Sequence, residues 1–309
     1  MMEIIRATGL VPYESTAVAL GNFDGLHTAH MEIIKRCKKH ARNHGLKCGI
    51  LLFNEHTQRI THNNDIKIIT PLTQKLRILE EAGIDFVYLR DFDKEFKELT
   101  PEAFIKLLIE RLHIKAVCVG YDYRFGHMAK GDTKLLEKLG YDLGFEVIVV
   151  DEIDHNGVTV KSTAIRHYVE DGSVQHAANM LGRPFSIEGR VVKGLQNGTK
   201  MGIPTANIEY TDNMLIPHTG VYAGFTSIDG NRYPSVINIG ANPTFGADRI
   251  TVESHILDFN GDLYDKIICV EFIKRIRGEK RFYSVDALKA QIHEDAVRAR
   301  KELSLCSQV

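Results

Sequence analysis

The chain has 309 residues and a formal net charge of -1, with 39 lysines and arginines against 40 aspartates and glutamates. This balance argues against a general nucleic-acid binder and against a protein held at a membrane surface by charge. The length suits one to three domains, and either half could bury its own core.

The five cysteines are scattered, and no two of them form a Cys-x-x-Cys pair. An odd number with this spacing suits free thiols in a reducing cytosol, and the cysteine spacing does not indicate a zinc site. No run of about 18 apolar residues occurs, and no long apolar stretch follows the first residues. We therefore expect a cytoplasmic protein without a signal peptide or a membrane span.

A glycine turn near the N-terminus joins a short buried strand to a helix. Residues 15–20 read as the strand, residues 31–44 place apolar side chains at helical spacing, and residues 21–30 between them read Gly-Asn-Phe-Asp-Gly-Leu-His-Thr-Ala-His. This arrangement directs backbone N–H groups and the positive end of a helix dipole at one point, as α/β proteins do to hold phosphate. His27 and His30 share a helix face there and could contact a polyphosphate. The alternative is two surface histidines in a chain with 14 of them.

Strands and helices alternate after this turn. The predicted strands cover residues 49–53, 86–89, 116–119 and 146–150, and the predicted helices cover residues 71–82, 101–112 and 132–143. The alternation predicts an α/β domain in which helices cover both faces of a parallel sheet. Ligands are then expected at the carboxyl ends of the strands.

Polar residues follow several of these strands, where chemistry is expected. His56 comes after the second strand, and Asp122 lies in a loop after the fourth strand that interleaves aromatic and charged residues. Ser162 and Thr163 place hydroxyls at a predicted helix start, with Arg166 one turn later. The alternatives are an ordinary polar loop and a helix cap with a surface arginine.

The helix that follows the first turn also has a basic face. An RNA could bind there, but no aromatic residue for base stacking accompanies the charges, so we favour the solvated side of an amphipathic helix. The basic residues are Lys35, Arg36, Lys38, Lys39, Arg42 and Lys47.

The pattern changes after Gly182, where we place a boundary between domains of residues 1–182 and 183–309. Short strand-like runs with turn signals between them predict a small antiparallel β-barrel, with residues 284–302 as a helix packed on it. The runs cover residues 186–192, 220–227, 233–239, 251–258 and 267–273.

A glycine-rich segment, residues 194–202, lies early in this second domain. It is not a Walker A loop, because the glycine spacing is one residue short and Pro204 stands where a helix should begin. On its own it reads as a turn between strands. The sequence Pro-Thr-Ala-Asn follows it over residues 204–207.

The turn motif Gly-Asn-Phe-Asp-Gly-x-His-x-x-His resembles the nucleotide-binding turn of the bacterial bifunctional riboflavin kinase/FAD synthetase family. The resemblance implies that the first domain is a Rossmann-like FMN adenylyltransferase in which His27, His30 and Arg166 take part in catalysis. The residues matched to ATP binding in this domain are Gly21, Phe23, Asp24, His56, Asp122, Ser162 and Thr163.

The glycine-rich segment with Pro-Thr-Ala-Asn resembles the riboflavin kinase signature, and the likeness continues through the second half. It implies that Glu253 is the general base for phosphoryl transfer and that Thr205 and Asn207 hold Mg²⁺ and the ATP phosphates. A solvent-facing strand carboxylate is the alternative for Glu253. The resemblance also assigns ATP binding to Gly194, Gly198 and Gly202 and flavin binding to Arg277, Glu279 and Phe282.

Two departures from the family pattern lie in the first half. Ala29 stands where the family has a glycine beside the adenine, and an added methyl would crowd a tightly packed ring. Residues 54–57 read Asn-Glu-His-Thr instead of Asp-Pro-His-Pro, which removes two rigid residues from the expected flavin pocket. We therefore predict weak or absent FMN adenylylation with intact riboflavin phosphorylation.

Three functional hypotheses follow. The first is an enzyme that makes FMN from riboflavin and then FAD, with ATP as co-substrate, Mg²⁺ as cofactor and small-molecule flavins as partners. The second keeps the riboflavin kinase alone, on a degenerate N-terminal scaffold. The third is a flavin-dependent regulator that binds RNA through the basic helix. A nucleic-acid partner is not expected, and the sequence does not indicate the oligomeric state.

Overall fold

Six parallel strands form the sheet of the first half. They are β1 (Glu3–Arg6), β2 (Thr16–Ala19), β3 (Lys47–Phe53), β4 (Phe86–Arg90), β5 (Ile114–Gly120) and β6 (Glu146–Val150). Their order across the sheet is β1-β4-β3-β2-β5-β6. The connections that leave β2 and β5 run toward opposite edges, so a crevice opens between the carboxyl ends of these two strands.

Helices cover both faces of this sheet, as the alternating pattern predicts. One face packs against Ile33, Ile34 and Cys37 of the first helix, and the other packs against Phe104 and Leu108 of a later one. The helices are α1 (Thr28–His44), α2 (Leu72–Glu81), α3 (Lys94–Lys97), α4 (Pro101–Leu112) and α5 (Thr133–Leu143). A two-residue ribbon, β7 (Asp154–His155) with β8 (Val158–Thr159), precedes α6 (Ser162–Glu170).

The structure is a computed structural model that describes residues 1–6, 9, 11–54, 66–194, 202–241 and 250–306. It divides into two compact units, residues 1–162 and residues 163–309. The division falls at the start of α6, twenty residues before the domain boundary that the sequence predicts, and that boundary stays a prediction.

The second unit is a closed antiparallel barrel. Its strands are β9 (Phe185–Val192), β10 (Ala206–Glu209), β11 (Gly220–Ile228), β12 (Asn231–Ala241), β13 (Ile250–Ile256) and β14 (Ile267–Arg277). They close in the order β10-β13-β12-β11-β14-β9, with β9 pairing back to β10. Three buried hydroxyls, those of Thr226, Ser235 and Ser254, bond to one another inside the barrel. Because inward and outward side chains alternate along a strand, Glu253 faces outward beside Ser254.

After α6, the described part of the second unit contains two further helices, and both pack on the barrel. The short helix α7 (Val174–Leu181) packs on β14 and β9, and the long helix α8 (Val285–Cys306) packs on β11, β12 and β14. Ala299 and Leu303 of α8 join an apolar cluster with Val221 and Ile276 of the barrel. The predicted fold class, a parallel α/β domain followed by a small antiparallel barrel with a C-terminal helix, is confirmed.

Candidate active sites

The turn between β2 and α1 has a strained backbone. Phe23, Gly25 and Leu26 adopt positive φ angles of 47°, 88° and 43°, and the side chains of Phe23 and Leu26 are fully buried. Gly21 packs so closely on Phe23 that a Cβ there would lie 3.3 Å from the ring. Non-glycine residues adopt this conformation at a cost that the surrounding contacts must offset, and such strain is concentrated at functional sites.

His27 and His30 meet at the start of α1. Nδ1 of His27 accepts the backbone N–H of His30 at 3.3 Å and caps the helix, which leaves Nε2 as the protonated nitrogen of the neutral ring. The two imidazole rings stack at 3.6 Å between centroids, with 15° between their planes. The spacing therefore predicts the pairing correctly, and both rings lie at the positive end of the helix dipole.

Asp24 is 1% exposed and holds the turn to the segment before α2. Its carboxylate accepts the backbone N–H groups of Ile69 and Thr70, at 3.2–3.4 Å, and its carbonyl accepts the Ser162 hydroxyl at 2.9 Å. Neither Asp24 nor Phe23 reaches the surface, so a direct contact of either side chain with ATP requires the turn to open. Their direct contact with ATP stays a prediction.

Asp122 lies at the carboxyl end of β5, across the crevice from the strained turn. Lys161, which the sequence reasoning did not assign to the site, lies 4.0 Å from its carboxylate and 5.5 Å from the ring centre of Tyr121. A hydrogen bond to the Tyr121 hydroxyl, with the charges of Asp122 and Glu152, raises the pKa of Lys161. The site therefore carries a permanent ammonium beside the start of α6.

Of the remaining predicted site residues, some lie on α6 and others fall outside the described part of the chain. Thr163 and Arg166 lie in the first two turns of α6, which begins at Ser162 as predicted. His56, and with it the segment that lacks the two family prolines, lies outside the described residues. Gly198 of the glycine-rich segment also lies outside them.

In the barrel, Asn207 on β10 and Glu253 on β13 lie directly opposite each other. Asn238 on β12 pairs with Glu253 from the other side. Cross-strand partners point to the same face, so a carboxylate stands between two amides on the outer surface of the barrel. Burial raises the pKa of Glu253 above the ordinary value of a glutamate. A solvated strand carboxylate would lack this burial, and a raised pKa suits a general base.

The segment before β10 is fixed by close contacts. A Cβ on Gly194 would lie 2.4–2.6 Å from the side-chain amide of Asn207, so this position has room only for glycine. Nδ1 of His255 on β13 lies 2.9 Å from the carbonyl oxygen of Pro204, immediately before Thr205. His255 is a second residue that the sequence reasoning missed. Gly202 has a positive φ of 78°, which glycine adopts without strain.

The residues predicted to bind flavin lie at the end of β14 and in the segment between β14 and α8. The guanidinium of Arg277 makes a two-pronged ion pair with the buried carboxylate of Asp295, with a shortest distance of 2.7 Å. Phe282 lies under Arg277 and Lys280, about 6 Å from each charge. Oε1 of Glu279 lies 3.4 Å from the position that a Cβ on Gly240 would take. Arg277 therefore anchors the segment, and flavin binding by these residues stays a prediction.

The basic face of α1 is largely paired within the protein. Lys35 and Arg36 bind Glu32, and the Lys38 ammonium donates to the carbonyl of Ala82. These partners support the interpretation as the polar side of an amphipathic helix. The prediction that Lys47 lies on this helix is wrong, because α1 ends at His44 and Lys47 is the first residue of β3, where it binds Asp85.

Comparisons with known proteins agree with the division into two halves. A family model described as FAD synthetase matches residues 12–164, and one described as riboflavin kinase matches residues 181–303. The "Bifunctional riboflavin kinase/FMN adenylyltransferase" of Escherichia coli K12 is 37% identical to this chain. The match covers 98% of this chain and 99% of that protein. The protein of the same name in Listeria monocytogenes is 34% identical, with 90% of this chain and 89% of that protein covered.

A solved structure also matches nearly the whole chain. It is titled a macrolide-efflux protein from Streptococcus pneumoniae, with 31% identity and a TM-score of 0.88 over 97% of this chain and 99% of that one.

Within the described parts of the present chain, each helix is too short or too polar to span a bilayer.

Proposed function

The chain belongs to the family of bifunctional riboflavin kinases/FMN adenylyltransferases, and from this premise we propose a role for each group of residues described above. The barrel phosphorylates riboflavin to FMN with ATP, and the N-terminal unit transfers the adenylyl group of a second ATP to FMN. Both family models match, so the alternative of a kinase on a degenerate scaffold has no support.

The pairing of Asn207 with Glu253 is the observation that carries the proposal for the kinase half. The Glu253 carboxylate accepts the proton of the riboflavin 5′-hydroxyl. The 5′ oxygen of riboflavin then attacks the γ-phosphorus of ATP, and ADP leaves. Partial burial favours this role, because a carboxylate with a raised pKa is a stronger base than a solvated one.

The donors beside Glu253 suit Mg²⁺. Thr205 offers a hydroxyl and Asn207 an amide oxygen, and hard oxygen ligands are those that Mg²⁺ prefers alongside phosphates and water. When bound, Mg²⁺ would neutralise charge on the ATP phosphates. Gly194 leaves space for the Asn207 amide, and His255 holds the backbone before Thr205, so both donors have fixed positions.

The N-terminal unit supplies positive groups rather than a base. The phosphate of FMN attacks the α-phosphorus of ATP, and pyrophosphate leaves as negative charge develops on it. His27, His30 and the N-terminus of α1 stabilise that charge from one side of the crevice. Lys161 adds a charge from the other side. The part that the family resemblance assigns to Arg166 stays a prediction.

One assay tests both halves. The purified chain is incubated with riboflavin, ATP and Mg²⁺, and the flavins are separated over time. Formation of FMN followed by FAD supports the proposal. Formation of FMN alone would show that the N-terminal unit is not an adenylyltransferase. If neither product forms, the whole proposal is refuted. Supplying FMN in place of riboflavin measures the second reaction by itself.

We also propose that the enzyme works in a reducing compartment, the cytoplasm. Cys37, Cys48 and Cys118 are buried free thiols packed in the sheet domain, which suits that environment.

A further inference from the structure

Three side chains outside both proposed sites meet at the amino end of the parallel sheet. His40 and His44 lie one turn apart near the end of α1, and Glu146 is the first residue of β6. The two imidazole rings stack at 4.1 Å between centroids, and Oε1 of Glu146 lies 3.7 Å from Nδ1 of His40. A possible ligand atom of each residue lies within 4.8 Å of those of the other two.

We propose that His40, His44 and Glu146 bind a divalent transition-metal ion, with Zn²⁺ as the expected occupant. Two imidazoles and one carboxylate are a ligand set that zinc uses, with water in the fourth position. Bond lengths of about 2.0–2.2 Å require the three ligand atoms to draw closer together than the 4.8 Å within which they lie here. Glu146 can supply that movement, because its side chain is 59% exposed.

One hydrogen bond already sets the ring of His44 for this role. Nδ1 of His44 lies 3.0 Å from the carbonyl oxygen of His40, and a carbonyl only accepts, so this nitrogen carries the proton. The lone pair is therefore on Nε2. Metal-binding histidines are typically oriented in this way, with the second ring nitrogen donating to a carbonyl or a carboxylate.

The dipole of α1 also favours a cation at this end of the helix. The last turn of α1 presents carbonyl groups at the negative end of the helix dipole, and the helix ends there at Gly45. Two cations from this end of the unit have other partners, because Lys38 donates to the carbonyl of Ala82 and Lys47 binds Asp85. A bound ion would tie the end of α1 to β6 and stabilise the sheet domain.

Without a metal, the cluster is a surface contact of 3.7 Å between His40 and Glu146 beside a stacked ring, which contributes little to stability. The two cases differ in metal affinity. The full chain, stripped with a chelator, is titrated with Zn²⁺ in competition with a chromogenic chelator, and Co²⁺ gives the ligand field from its visible spectrum. We expect His44→Ala and Glu146→Gln to lose one equivalent of bound Zn²⁺, or to bind it at least about tenfold more weakly.

Matched controls test whether the loss of Zn²⁺ is specific to this site or follows the removal of any exposed imidazole or carboxylate. His293→Ala removes an exposed helical imidazole on α8, and Glu137→Gln removes an exposed carboxylate on α5. Both are expected to retain the wild-type stoichiometry. Zn²⁺ should also raise the melting temperature of the wild type but not that of His44→Ala. Equal Zn²⁺ binding by the wild type and His44→Ala, or no binding by the wild type, would overturn the proposal.

Discussion

The guanidinium of Arg277, the last residue of β14, is held by the carboxylate of Asp295 on α8. The Arg277 side chain is 20% exposed and that of Asp295 is 4% exposed, so both charges are largely removed from water. The pair joins the end of the barrel to the helix that follows the proposed flavin segment. Its main contribution is therefore to position that segment.

Asp295→Ala should destabilise the second unit by about 3–5 kcal/mol, because it leaves a largely buried guanidinium without its counter-charge. Removing one partner of the exposed pair Arg300–Asp258, as in Arg300→Ala, is the control and should cost far less, because both charges remain in water. Urea denaturation measures the free energy of unfolding of the second unit in both variants. Equal losses for the two variants would show that Arg277 is not an anchor.

Glu253→Gln should reduce FMN formation by about 100-fold or more, because the amide cannot accept the proton of the 5′-hydroxyl. FAD formation from supplied FMN should be unchanged. Glu209→Gln, on the exposed end of the neighbouring strand β10, is the control and should retain both activities. Unchanged FMN formation in Glu253→Gln would remove this residue as the base.

The same substitution should stabilise the barrel near neutral pH. Burial raises the pKa of Glu253 above 4.5, so the folded protein keeps this proton to higher pH than the unfolded chain does. Stability is therefore lost as the pH rises from the unfolded pKa through the folded one. The melting temperature of Glu253→Gln should exceed that of the wild type at pH 7. The difference should vanish below about pH 4, where the Glu253 carboxyl is protonated in both the folded and the unfolded chain. A lower melting temperature at neutral pH would contradict the assigned burial.

His27→Asn separates the chemistry of the imidazole from its role in capping α1. Asparagine is a favourable N-cap residue, so the helix and the melting temperature should be preserved. FAD formation should fall by about 100-fold or more, the usual cost of losing one donor that stabilises developing charge. FMN formation from riboflavin is the internal control. His293→Asn, an exposed change on α8, should alter neither reaction.

The spacing of apolar residues predicts most helices and strands of this protein, but it does not predict how the strands pair. The apolar spacing of Ile33, Ile34 and Cys37 predicts α1, and the buried runs predict the central strands. The four-residue strands β1 and β10 were not predicted, because neither has the continuous buried run that marks the equally short β2. The sixth strand of each sheet therefore emerged only from the structure.

The residues of the sites show the same limit. The spacing of His27 and His30 lies within one helix turn and could be predicted. Asn207 and Glu253 are far apart in the chain but pair across two strands. The family resemblance assigned a role to each of them, but it could not show that their side chains are neighbours. The burial of Asp24 and the contact of Lys161 with Asp122 depend on tertiary packing, which no local pattern carries.

The alanine at position 29 lies in the first turn of α1, between the two stacked imidazoles in sequence. If its methyl group crowds the adenine, Ala29→Gly should raise kcat/KM for FAD formation several-fold while FMN formation is unchanged. Glycine should also cost about 1 kcal/mol of helix stability. Ala103→Gly, in the first turn of α4, carries the same helix cost without touching the site and is the matched control. A rate for FAD formation that is equal in Ala29→Gly and the wild type would show that the methyl group does not limit adenylylation.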